Sequence, residues 1–102
     1  MLCTANQEWC QVMAADFQRK TGVQIAFTRK GTGEAYAQLK AEADNPKVDL
    51  WWGGTGDPHL QAAEEKLTMK IDSPMLAQLQ PWAQEQHRRA GGRTVGIYLG
   101  VI

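Results

Sequence analysis

Hydrophobic positions along the chain alternate between a period of two and a period of about 3.6 residues, the signatures of strand and helix. Leu2 to Thr4 reads as a short strand. Asn6 then stands where a helix would be capped, with Trp9, Cys10, Met13 and Phe17 at helical spacing until Gly22 stops it. Val23, Ile25 and Phe27 alternate with Gln24 and Ala26 as a second strand, followed by "TRKGTGE" and a helix carrying Tyr36, Leu39 and Ala43 to Asn45-Pro46. Val48 to Trp52 forms a third strand. Asp57, with Pro58 at the first helical position, opens a third helix through Leu60, Ala63 and Leu67. Ser73-Pro74 is a further start of this kind, Pro81 divides the stretch up to about Gly91 into two short helices, and "RTVGIYLGVI" supplies a last strand.

Strands alternating with helices imply parallel pairing through right-handed crossovers. The fold class expected is α/β, a three-layer sandwich with a mostly parallel sheet and helices on both faces. All strand C-termini then share one edge, where "TANQE", "TRKGTGE" and "GGTGD" would each lead into a helix N-terminus. Such ends present unpaired N-H groups and a positive partial charge, and so suit an anion. The residues expected to hold it are Thr4, Asn6, Arg29, Thr32, Gly33, Glu34, Gly54, Thr55, Gly56 and Asp57. Taken one loop at a time, Asn6, Thr32 and Asp57 also read as ordinary N-caps, and Arg29 and Lys30 as a solvated pair.

Composition narrows the partners. The chain has 102 residues, 43% of them hydrophobic, enough for one small core. Eleven Lys and Arg balance eleven Asp and Glu, so no basic surface calls for nucleic acid. No apolar run approaches the roughly 20 residues that cross a bilayer, so membrane insertion is not expected. Met1 runs directly into the first strand, so no signal peptide is read here, although a chain starting at its mature sequence would look the same.

Catalytic patterns are not supported. Gly31 and Gly33 follow the second strand and Tyr36 stands where a dinucleotide fingerprint needs glycine. The only serine, Ser73, reads as a helix cap, and His87 falls in "QEQHRR", a solvated face. His59, in the first turn of a helix near the loop edge, reads as a surface residue. Glu64 and Glu65 lie on the polar side of their helix. The expectation is a protein that binds, with no enzymatic activity, cofactor or metal. Cys3 and Cys10 lie too far apart for common zinc spacing. Two readings of them stand: a pair of buried thiols, or a disulfide between the strand end and the first turns of the helix, which implies an oxidising compartment.

The stretches "LCTANQEWCQVMAADFQRKTGVQI", "KAEADNPKVDLWWGGTGDPHLQAAEE" and "RTVGIYLGVI" resemble the N-terminal lobe of periplasmic solute-binding proteins of the ferric-iron transport type, the receptors of ABC importers. The resemblance spans essentially the whole chain. It implies one lobe of a type II periplasmic binding protein over residues 1–102, truncated before the second lobe, located in the periplasm and partnered by an ABC-transporter permease in its full-length context. Export also fits a bridge between Cys3 and Cys10. Relatives that hold iron draw a His and a Glu from the loops after strands one and three, whereas "TANQE" and "GGTGD" offer only Asp57 as a strand-end carboxylate. An organic phosphate or phosphonate is therefore expected ahead of ferric iron. The reading from another class is a self-associating structural fragment that binds no solute. Val95, Ile97, Leu99 and Val101 on one side of the last strand, with Tyr98 and Ile102 on the other, lead to an expected homodimer through that strand.

Overall fold

The computed structural model describes residues 1–95. The final strand, with Ile97, Leu99 and Val101, and the homodimer expected from it lie outside the described residues. The chain divides into two compact units, Met1–Gly54 and one that begins at Thr55.

The first unit holds a three-stranded parallel sheet in the order β2-β1-β3. β1 is Leu2–Cys3, β2 is Thr28–Arg29 and β3 is Trp51–Trp52. Leu2 pairs with Thr28 on one side and Trp51 on the other, and Cys3 with Arg29 and Trp52. Two crossovers supply the helices, α1 over Gln7–Thr21 and α2 over Thr32–Ala41. This α/β arrangement agrees with the sequence pattern, but the second strand falls later than expected. Val23, Ile25 and Phe27 precede the ladder. The regular pairing is made by Thr28 and Arg29, which the sequence placed in the loop. Met1 donates from its terminal ammonium to Ala26 O at 2.7 Å, and Thr28 N donates to Met1 O at 3.0 Å. Pairing with the central strand thus overrides the local alternation.

The buried face of α1 also differs from the pattern. Cys10 and Ala14, one turn apart, are buried, while Trp9, Met13 and Phe17 are 54%, 42% and 44% exposed. Small residues let the helix approach closely, and the larger apolar side chains are turned outward. α1 ends on Gly22 with φ 77°, whose N-H bonds Gln18 O at 2.7 Å, a left-handed stop that glycine takes without strain. α2 stops at Ala41, ahead of Asn45-Pro46.

In the second unit, α3 spans Gly56–Glu64, a 3-10 helix spans Pro74–Gln78 and α4 spans Pro81–Arg89. The expected start at Ser73-Pro74 is present: the Ser73 hydroxyl accepts from Met75 N at 3.2 Å. α3 begins earlier than the sequence suggested, with Thr55 at the N-cap, so Asp57 and Pro58 lie inside the first turn. His87 is half-buried, contrary to its expected place on a solvated face: Nδ1 lies 2.8 Å from Thr94 O and, facing a carbonyl, must be the protonated ring nitrogen. Arg93 Nη1 donates to Thr68 O at 2.6 Å, closing the same end of the unit.

Candidate functional site

The site is built where the three strands of the first unit end. β1 leaves the sheet through Thr4, which is buried. Its N-H donates to Trp52 O at 2.9 Å, and its hydroxyl accepts from Trp51 Nε1 at 3.1 Å. The next residue, Ala5, receives Arg29: the guanidinium Nε donates to Ala5 O at 3.0 Å, tying the end of β2 to the loop after β1. The loop after β3 presses on the same residue. Gly53 has φ 98°, and a Cβ there would stand 2.7 Å from Ala5 N and 2.9 Å from Ala5 Cβ. Gly54 has φ 85°, and a Cβ there would stand 2.9 Å from Thr4 Oγ1 and 3.0 Å from Thr32 Oγ1. Only glycine allows both the backbone twist and these approaches.

The sheet edge therefore brings Thr4, Arg29, Thr32 and Gly54 together, around an alanine that the sequence did not mark. Asn6 takes the N-cap position of α1 with extended backbone, but its side chain makes no capping hydrogen bond. Asn6, Gln7, Glu8 and Arg29 line an open concavity of about 340 Å³. A guanidinium and the positive end of a 15-residue helix there favour an anion, and Glu8 in the first turn adds an acceptor for hydroxyl groups.

The α2 end is arranged differently. Gly31 is its N-cap, so Thr32 is the first helical residue and not the cap expected from the sequence. Gly33 opens to space. Glu34 folds back, its Oε1 3.2 Å from where a Cβ of Gly31 would be, so this helix end is already faced by a carboxylate of its own. The α1 end has a first-turn carboxylate too, Glu8, and what distinguishes it is Arg29 lining the same concavity. Thr55, Gly56 and Asp57 belong to the second unit. There Thr55 is exposed and caps α3 without a side-chain bond, Gly56 is buried, and Asp57 is exposed in the first turn.

Cys3 and Cys10 form a disulfide, with 6.1 Å between their Cα atoms, and both are fully buried. Among the described residues, no three His, Cys, Asp or Glu side chains come together as metal ligands would. No helix among them is long and apolar enough to cross a membrane.

Ala5, Gln7, Glu8 and Gly53 are the site residues that sequence reasoning missed. The doubled glycine at a strand end was a usable signal for Gly53. Ala5 carries none, because its role rests on its backbone.

Residues 2–87 match the sequence family described as bacterial extracellular solute-binding protein. An uncharacterised protein of Haemophilus influenzae is 33% identical over 100 residues, 98% of this chain and 29% of that protein. Among solved structures, the periplasmic binding protein AfuA from Actinobacillus pleuropneumoniae, with exogenous fructose-6-phosphate bound, is 38% identical with a TM-score of 0.78, over 81% of this chain and 26% of its own. The periplasmic binding protein P5PA is 35% identical with a TM-score of 0.80, over 89% of this chain and 29% of its own. Iron-bound HitA from Pseudomonas aeruginosa shares the fold, with a TM-score of 0.76 at 23% identity over 80% of this chain and 27% of its own. The chain thus spans less than a third of the length of these relatives.

Proposed function

The chain belongs to the family of bacterial extracellular solute-binding proteins, and from that premise we propose that it captures a phosphorylated organic solute, of the sugar-phosphate kind, at the α1 end of its sheet edge. In this reading residues 1–102 serve as one lobe of a periplasmic receptor that delivers its solute to an ABC-transporter permease. The protein binds its solute and carries out no covalent step.

The observation that carries the reading is the pairing of Arg29 with the uncapped amino end of α1. Arg29 is anchored through Nε to Ala5 O and lines one concavity with Asn6, Gln7 and Glu8, and its guanidinium carries two further Nη donors. A phosphate oxyanion is recognised by such a combination of guanidinium and helix N-H groups. The nearby carboxylate and amides suit the hydroxyl groups of a sugar, so the arrangement favours an organic phosphate over inorganic phosphate. AfuA, at 38% identity, supports this reading through the fructose-6-phosphate in its structure. Ferric iron is the weaker reading: among the described residues no three His, Cys, Asp or Glu side chains gather as metal ligands would, and the likeness to HitA extends to the fold alone.

The test is calorimetric titration of the chain with fructose-6-phosphate and inorganic phosphate, repeated on R29Q. Loss of a charge-assisted hydrogen bond weakens binding by roughly 10-fold or more. Equal affinity of R29Q and the wild-type chain for both solutes would refute the placement of the anion beside Arg29.

A further inference from the structure

The disulfide encloses the loop on which that site is built. Residues 4–9 lie between Cys3 and Cys10 and include Thr4, Asn6, Gln7 and Glu8, so the ring joins the end of the central strand directly to the first turns of α1. We propose that the Cys3–Cys10 disulfide is a positioning element for solute binding, holding the Ala5 peptide so that Arg29 and the amino end of α1 stand in their binding arrangement before solute arrives. This inference rests on the solute-binding reading above.

The path of contacts is short. Cys3 is fixed on both sides: it pairs with Arg29 and Trp52, and its carbonyl accepts from Lys30 N at 3.0 Å. Cys10 is fixed by the helix, its N-H donating to Asn6 O at 3.0 Å. Cys10 Sγ then lies 3.8 Å from Ala5 O. A half-cystine has no thiol hydrogen to give, so this is a packing contact. The same carbonyl oxygen accepts Arg29 Nε, and Gly53 closes on the amide side of Ala5. One residue, Ala5, therefore meets a sulfur and a guanidinium at its carbonyl and, at its amide, a glycine where a larger residue would collide.

Two apolar side chains could fill the space of the sulfurs, but they would not fix the distance between strand and helix. With the bond removed, the first turn of α1 can shift relative to Cys3, and the carbonyl that orders Arg29 shifts with it. Arg29 must then be ordered at the moment of binding. Immobilising one long side chain weakens affinity by roughly two- to twelvefold. Because both cysteines are 0% exposed, the bond is shielded from reductants. It acts as a permanent brace and not as a redox switch.

The experiment compares the oxidised chain with C3A/C10A and with the wild-type chain unfolded, reduced and refolded without oxygen, the second form covering the case in which the alanine variant does not fold. Each is measured at a temperature where circular dichroism shows it fully folded, so that a loss of stability alone leaves affinity unchanged. Two readouts are taken: the dissociation constant for fructose-6-phosphate, and hydrogen exchange at Arg29 Nε followed by NMR without solute. The expected result is a two- to twelvefold weaker affinity and faster Nε exchange in the unbridged forms. The affinity difference should vanish in the R29Q background, since the bridge acts through Arg29. Equal affinity, or unchanged Nε exchange, overturns the inference. If the oxidised chain does not bind fructose-6-phosphate, the solute reading fails, while equal or unequal Nε exchange still decides whether the disulfide positions Arg29.

Discussion

Replacing Gly53 by alanine tests whether the strand-end junction is as tightly built as its geometry says. Two terms add at this residue. At φ 98° an alanine is forced into a backbone region that costs roughly 1–3 kcal/mol for a non-glycine residue. Its Cβ would also stand 2.7 Å from Ala5 N, a backbone atom that cannot rotate away, and overpacking of this kind adds about 1–3 kcal/mol. Gly22 is the internal control, because it too has a positive φ, 77°, but a Cβ there meets nothing within 4 Å. G22A should therefore carry only the backbone term of about 1–2 kcal/mol. The gain from restricting the unfolded chain is the same for both substitutions and cancels in the comparison. Equilibrium urea unfolding of wild type, G22A and G53A, monitored by circular dichroism, should show G53A the less stable of the two by roughly 1–3 kcal/mol. If G53A costs no more than G22A, the contact with Ala5 is not rigid, and the account of the site as a clamped peptide is wrong.

The disulfide and the ion pairs of α4 lead to further expected outcomes. Closing a ring over a sequence separation of 7 removes about 2.4 kcal/mol of unfolded-chain entropy, so C3A/C10A should melt roughly 10–20 °C below the oxidised chain by calorimetry. An unchanged midpoint would show that the bond adds no stability. Glu85 accepts hydrogen bonds from Arg88 and Arg89, which hold its carboxyl below its ordinary value of 4.5. A folded-state pKa below the unfolded one gives stability that is present above about 4.5 and is lost as pH falls through the folded value. E85Q should therefore be slightly less stable than wild type at neutral pH and converge with it in acid, as urea titrations at several pH values can check. A constant difference across that range would assign the effect to something other than these ion pairs.

The α/β class, the parallel pairing, the capped start at Ser73 and the break at Pro81 were legible in the sequence, because each rests on local chemistry. Period-two and helical spacings, a hydroxyl able to accept a backbone N-H and a ring that cannot donate act over a few residues in any context. The pair Gly53-Gly54 also marked the turn after β3, since two glycines after a strand signal a sharp turn or a close approach. Register and packing were beyond the reach of the local pattern. Val23, Ile25 and Phe27 alternate well, yet Thr28 and Arg29 make the ladder, because Leu2 and Cys3 choose partners across the sheet and not along the chain. Trp9, Met13 and Phe17 have helical spacing, yet Cys10 and Ala14 face the interior, because close approach to the sheet and the bond to Cys3 set the rotation of α1. Ala5 is the plainest case. Its side chain says nothing, and its importance comes from a carbonyl and an amide that meet Arg29 and Gly53, 24 and 48 positions away in sequence. The sequence by itself determined which elements form and which edge collects the loops. Only the tertiary structure decided which atoms meet there, since those contacts join residues that no local spacing relates.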